Sequence, residues 1–161
     1  MCGIAGEVSF SNSVIKNKDS FLKMQKVLAP RGPDQNGIYI KDKVALIHSR
    51  LCVIDIENGL QPMSAKCGEN EYILVYNGEL YNTDEVRDEL KAHGHKFFGH
   101  SDTEVILKAY IEWKDECVNK FNGIFAFAIW DDKEQRLFFA RDRIGVKPLF
   151  YTVANNLAIL N

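Results

Sequence analysis

Apolar and polar positions alternate loosely over residues 3–10, which predicts a strand that Ser11-Asn12-Ser13 then breaks. Phe21, Leu22, Met24, Val27 and Leu28 recur at near-helical spacing and predict a first helix over 19–28. Pro30-Arg31-Gly32-Pro33-Asp34 cannot prolong it, because each proline lacks a backbone donor and restricts the residue before it. Gly37 to Ile40 and Val44 to Ile47 then read as the strands of a hairpin. Tyr72 to Tyr76 is a wholly apolar strand, expected to stop at Asn77-Gly78, and 84–93 reads as a short helix closed by Gly94. Ser101-Asp102-Thr103-Glu104 matches a capping box, with Ser101 bonding the backbone ahead and Glu104 reaching back, before Val105, Ile106, Ala109 and Tyr110 line one helical face. Strands over 124–130 and 136–140 flank a polar turn, and 148–153 meets 157–160 across Asn155-Asn156. Strands grouped at both ends of the chain around helices predict an α+β layered sandwich.

Composition and the scatter of cysteine and histidine sharpen this picture in four ways. The 161 residues, 46% hydrophobic and 26% charged, suit a single globular domain over 1–161, with no internal repeat or linker. Twenty Lys plus Arg against 22 Asp plus Glu leave no basic field for phosphate backbones, so no nucleic-acid partner is expected. The start MCGIAGEVSF lacks a basic leader, and no apolar run approaches the ~18 residues that span a bilayer; the expectation is no membrane and a cytoplasmic location. Cys2, Cys52, Cys67 and Cys117 show no C-x-x-C spacing and the four histidines no H-x-x-x-H pair, so no metal site is expected and a reducing compartment fits.

Four positions carry candidate chemistry. If Met1 is trimmed, Cys2 holds a thiol and an α-amine on one residue; the amine, titrating near ~7.7–8.0, can help deprotonate a thiol whose ordinary value is ~8.5. A structural cysteine tucked under a strand is the plain alternative. Asn77-Gly78 can be read as a tight hairpin turn, but Glu79-Leu80-Tyr81-Asn82 leads toward a helix rather than a second strand. That leaves a carboxamide beside a glycine N–H open to a substrate, the parts of an oxyanion hole. Arg50 can form a surface ion pair or grip a carboxylate with two parallel hydrogen bonds. Asp102 can favour a helix N-terminus or face a substrate ammonium.

Six motifs in order, Cys2-Gly3-Ile4, Arg31-Gly32-Pro33-Asp34, Arg50-Leu51, Asn77 to Asn82, Ser101 to Leu107 and Arg141 to Leu149, resemble the glutaminase domain of glutamine-hydrolysing asparagine synthetases. These are class II glutamine amidotransferases, and the resemblance implies the N-terminal-nucleophile hydrolase fold, a four-layer αββα sandwich of two antiparallel sheets. It implies Cys2 as nucleophile, Asn77 and Gly78 as oxyanion hole, Arg50 on the glutamine α-carboxylate, and Glu79 with Asp102 at the α-amino end. Leu51, Cys52, Val53 and Ile54 would line the glutamine pocket, and Arg31 would belong to the scaffold around the nucleophile.

The implied activity is hydrolysis of glutamine to glutamate and ammonia through a cysteinyl thioester, with no cofactor in this chain. The family's Ser-Gly-Gly-x-Asp-Ser pyrophosphate loop is missing from these residues, so ATP and magnesium would belong to an absent synthetase domain or partner chain. The ending at Leu157 to Asn161 gives the expectation of a truncated or split domain, with homodimerisation left open. The rival reading is a catalytically silent glutamine-binding or scaffolding module.

Overall fold

Strand alternation sorts the apolar side chains into three layers, and the fold follows from where those layers must go. A computed structural model describes residues 1–52, 55, 57–155 and 157–160. Its strands are β1 (Gly3–Ser9), β2 (Gln35–Lys41), β3 (Val44–Arg50), β4 (Met63–Cys67), β5 (Asn70–Leu80), β6 (Gly123–Asp131), β7 (Arg136–Arg141), β8 (Tyr151–Ala154) and β9 (Leu157–Leu160). Helices α1 (Lys18–Leu28), α2 (Thr83–Ala92) and α3 (Asp102–Trp113) complete it, with short 3-10 turns between. One sheet has the order β2-β3-β1-β9-β8 and the other β4-β5-β6-β7, every pairing antiparallel.

Ala5, Ala45 and Ile47 on one face of the first sheet pack with Phe21 and Leu28 of α1. Ile4, Val8, Val44 and Leu46 on its other face meet Ile73, Val75, Ala126, Ala128 and Trp130 of the second sheet. Leu74, Phe127 and Ile129 on the far side of that sheet pack under Leu90 of α2 and Val105, Ile106 and Tyr110 of α3. Each fully buried Leu, Ile or Phe contributes at most ~1.5–3 kcal/mol, so all three layers are needed against the entropy of ordering the chain. This is the expected α+β sandwich of two antiparallel sheets flanked by helices.

The structure departs from the sequence reading at several places. β5 does not stop at Asn77-Gly78: it runs on to Leu80, because β6 offers partners in register, Asn77 to Ala126, Gly78 to Phe125, Glu79 to Ile124 and Leu80 to Gly123. Edge strand β4, Met-Ser-Ala-Lys-Cys, was not anticipated, since it lacks the β-branched and aromatic residues that mark strands. The last hairpin begins at Tyr151 rather than at 148, and Asn156 of its expected turn lies outside the described residues. In the capping box, Ser101 Oγ accepts from the Thr103 N–H at 3.0 Å as expected. Glu104, however, reaches past Ser101 to the N–H groups of Phe98 (3.1 Å) and Gly99 (3.0 Å).

Candidate active site

The same parity that builds the middle layer brings the candidate residues together. Cys2 is in step with Ile4 and Val8, Arg50 with Val44 and Leu46, and Asn77 and Glu79 with Ile73 and Val75, so all four belong to the facing sides of the two sheets. There they border a cleft of about 170 Å³, also walled by Leu51, Gly78 and Asp102. Cys52 is not in its wall; its N–H donates to Asp34 Oδ2 at 2.7 Å. Val53 and Ile54 lie outside the described residues. Gln61, Tyr76, Thr103, Ile124 and Lys147 also line the cleft and were not singled out from sequence.

Half-buried Cys2 sits against the end of β3. The Leu51 N–H donates to its Sγ at 3.4 Å, and Arg31 Nε donates to its carbonyl at 3.3 Å. Arg31-Gly32-Pro33-Asp34 is the strap that makes this possible. A Cβ on Gly32 would strike the backbone of Ser49 and Arg50, and the Asp34 N–H donates to the Arg50 carbonyl at 3.1 Å.

On the opposite wall, one edge of β5 has passed the end of β4 and turns its donors elsewhere. The Tyr76 N–H goes to Gln61 Oε1 at 2.6 Å and the Leu80 N–H to Asp102 Oδ2 at 3.2 Å. Strand alternation puts the Gly78 N–H on that same edge, between the two. Asn77 is a buried residue, and its carboxamide makes no hydrogen bond among the described residues. The reason for glycine at 78 differs from the sequence reading: a Cβ would strike the Ile124 carbonyl and lie 2.7 Å from Phe125 Cα and 2.8 Å from Tyr76 Cε2. Close packing against β6, more than access for a ligand, demands the glycine.

Asp102, the second residue of the Ser101 cap, accepts from Tyr76 Oη at 2.7 Å as well as from Leu80. Burial pushes its carboxyl above the usual range, against these hydrogen bonds. His48, fully buried, donates from Nε2 to the Tyr76 carbonyl at 2.9 Å and so carries its proton there, with Nδ1 unpartnered. Burial, with a smaller push from Arg50, lowers it to about 4, so it is a neutral strut between the sheets and not a base for the thiol.

Lys147 reaches the mouth of the cleft, where its Nζ donates to Met1 Sδ at 3.2 Å. Its backbone is set by Asp142, which accepts from the N–H groups of Val146 and Lys147, each at 2.9 Å, and of Phe125 at 3.2 Å. Burial raises the Asp142 carboxyl, but the N–H groups of Lys147, Val146, Phe125 and Gly145 together outweigh it and hold the group below the usual carboxylate range. The side chains around the cleft thus bring two cations, Arg50 and Lys147, and two carboxylates, Glu79 and Asp102, an arrangement suited to a small zwitterion. No group of three or more His, Cys, Asp or Glu among the described residues could hold a metal ion, and no described helix is long and apolar enough to cross a membrane.

Comparison with known proteins adds family membership. Residues 1–160 match the glutamine amidotransferase domain family. The chain is 51% identical over 152 residues to asparagine synthetase [glutamine-hydrolyzing] 3 of Bacillus subtilis, covering 94% of this chain and 25% of that protein. It is 40% identical over 159 residues to asparagine synthetase [glutamine-hydrolyzing] 1 of the same organism, covering 97% and 25%. The chain thus spans about a quarter of the length of these relatives. Glutamine phosphoribosylpyrophosphate amidotransferase from B. subtilis superposes with a TM-score of 0.76 at 19% identity over 98% of this chain and 41% of that one, which establishes likeness of fold. With a family match over nearly its whole length and the expected two-sheet architecture, the chain belongs to the class II glutamine amidotransferase domains.

Proposed function

We propose that this chain hydrolyses the side-chain amide of glutamine to glutamate and ammonia, as the ammonia-supplying part of an asparagine synthetase-like amidotransferase. The observation that carries the reading is the opposition, across one cleft, of the Cys2 thiol from one sheet and the Asn77 carboxamide with the Gly78 N–H edge from the other. Arg50 receives the α-carboxylate of glutamine; Glu79 and Asp102 receive its ammonium. The Cys2 thiolate attacks the amide carbon, and the carbonyl oxygen becomes an oxyanion held by Asn77 and Gly78. The proton taken from the thiol by the Cys2 α-amine passes to the leaving nitrogen, the C–N bond breaks, and ammonia departs from a γ-glutamyl thioester. Water, deprotonated by the same amine, attacks the thioester, and the sulfur leaves with the proton. No step needs a cofactor. The four free cysteines suit a reducing, cytoplasmic setting. An ATP-dependent synthetase domain or chain is the partner proposed to consume the ammonia.

One observation favours a silent binding module for the untrimmed chain. Met1 lines the cleft under Lys147, and while it is present the Cys2 nitrogen is an amide without basicity. Intact-mass measurement of the N-terminus, paired with a coupled glutamate-release assay and Cys2→Ala as control, decides between them. Trimmed protein that releases glutamate well above the control supports the glutaminase; trimmed protein that binds glutamine and releases none supports the module.

A further inference from the structure

Asp55 lies outside the cleft wall, yet it joins the two segments that carry the amino-acid-binding groups. Its backbone carbonyl accepts from Arg50 Nη2 at 2.7 Å and from the Gly59 N–H at 2.9 Å. Its carboxylate accepts from the His100 N–H at 2.7 Å through Oδ2 and from Asn58 N and Nδ2 at 3.1 and 3.0 Å through Oδ1. Asp55 has a φ of 47°, in the left-handed region that disfavours most side chains, and Asp is among the few that visit it.

Glycines in two separate loops are required by this same seat. A Cβ on Gly59 would strike Arg50 Nη2 and lie 2.8 Å from the Asp55 carbonyl oxygen. A Cβ on Gly99 would lie 2.5 Å from Asp55 Oδ2 and 2.6 Å from Asn58 Cβ. The side of the junction next to α3 is rigid: buried Arg87 donates to the carbonyls of Gly99 (2.8 Å) and Ser101 (3.2 Å), while Glu104 holds the N–H groups of Phe98 and Gly99. Constraint therefore passes from the α3 side, through His100 and Asp55, to the guanidinium.

We propose that Asp55 is a positioning residue, which holds the Arg50 guanidinium in the cleft it shares with Asp102, placed for the carboxylate of an amino-acid substrate. The assignment rests on the glutamine reading above. Asp55 touches no substrate; it acts through Arg50. The His100 N–H, foremost among the groups acting on it, keeps the carboxyl below its ordinary range.

The test uses Asp55→Gly, which suits a positive φ and removes the side chain with its carboxylate while keeping the backbone carbonyl, beside Asp55→Asn, which tolerates that φ and keeps an oxygen acceptor. In the trimmed, full chain, Asp55→Gly should raise the glutamine KM at least tenfold with kcat within about threefold, and Asp55→Asn should restore KM to within about threefold. In an Arg50→Gln background, Asp55→Gly should change kcat/KM less than twofold. Hydrogen exchange at the His100 amide should speed up in Asp55→Gly whether or not the protein turns over. An unchanged KM, an unchanged His100 exchange rate, or an equal effect in the Arg50→Gln background overturns the positioning role alone. A trimmed wild-type chain that neither binds nor hydrolyses glutamine overturns the reading beneath it.

Discussion

Gly78→Ala separates two reasons for a glycine at the same place. If the residue mainly keeps a substrate path open, alanine should block turnover and leave the fold intact. The contacts of a Cβ at 78 argue otherwise, because they lie with the Ile124 carbonyl, Phe125 Cα and the Tyr76 ring, on the side of β5 packed against β6. Two of those three are backbone atoms of the neighbouring strand, which cannot rotate away as a side chain could. Overpacking of this kind costs about 1–3 kcal/mol. For a domain of this size each kcal/mol lowers Tm by about 2–4 °C, so Gly78→Ala should lose roughly 2–12 °C. Thermal unfolding followed by circular dichroism measures this, with glutamate release measured well below the transition. A variant with wild-type Tm and abolished turnover would refute the packing argument and return Gly78 to a purely access role.

Three further outcomes are expected. Asn77→Ala should lower kcat by 10²–10³, the ~2.7–4 kcal/mol of one oxyanion donor, with KM within about threefold and little change in Tm, because no described protein group depends on that carboxamide; steady-state kinetics showing the loss in KM instead would reject it. Arg50→Gln should raise the glutamine KM roughly 10- to 150-fold with kcat largely kept, since a charge-assisted contact of ~1.5–3 kcal/mol exists in ground and transition states alike. His48→Gln should flatten the acid limb of stability: with the folded value at about 4 against an ordinary 6.5, the unfolded chain binds the extra proton first. Stability is therefore full above pH 6.5 and falls by about 3 kcal/mol on the way down to pH 4. Urea unfolding at several pH values should give a shallower slope for the variant, and parallel slopes would sink the assignment.

The strands and helices that the pattern made legible were those with a clear period and a clear stop: β1, the β2–β3 hairpin, α1, α2 before Gly94, α3 behind Ser101, and the β6–β7 pair around its polar turn. β4 was not legible because an edge strand stabilised by one neighbour needs no strong propensity of its own. The end of β5 was misread because Asn-Gly is a turn signal locally, and only the presence of β6, far along the chain, turns it into ladder. Among the cleft residues, Cys2, Arg50, Asn77 and Asp102 stood out by chemical type. Gln61, Tyr76 and Thr103 did not, for their role is to take up one another's hydrogen bonds: Gln61 spans the Tyr76 N–H and Thr103 Oγ1, and the Tyr76 hydroxyl reaches Asp102. Such a network is a property of three segments meeting and leaves no trace in any one of them.

The motif over Arg141 to Leu149 acquires a role from the same logic. A one-residue slip of β5 against β6 would carry Asn77 and Glu79 away from the facing sides of the two sheets, onto the face that Tyr76 and Gly78 now occupy. Resistance to that slip comes from the close fit of Gly78 on Phe125, and Phe125 is itself fastened at both backbone groups: its N–H donates to Asp142 Oδ2 at 3.2 Å and its carbonyl accepts from the Asp142 N–H at 2.7 Å. The same carboxylate holds the backbone N–H groups of Val146 and Lys147, and Lys147 lines the cleft. A residue with no place in the cleft wall therefore couples the register that points the carboxamide inward to the cation above it, so the cleft takes its shape from Asp142 without being lined by it.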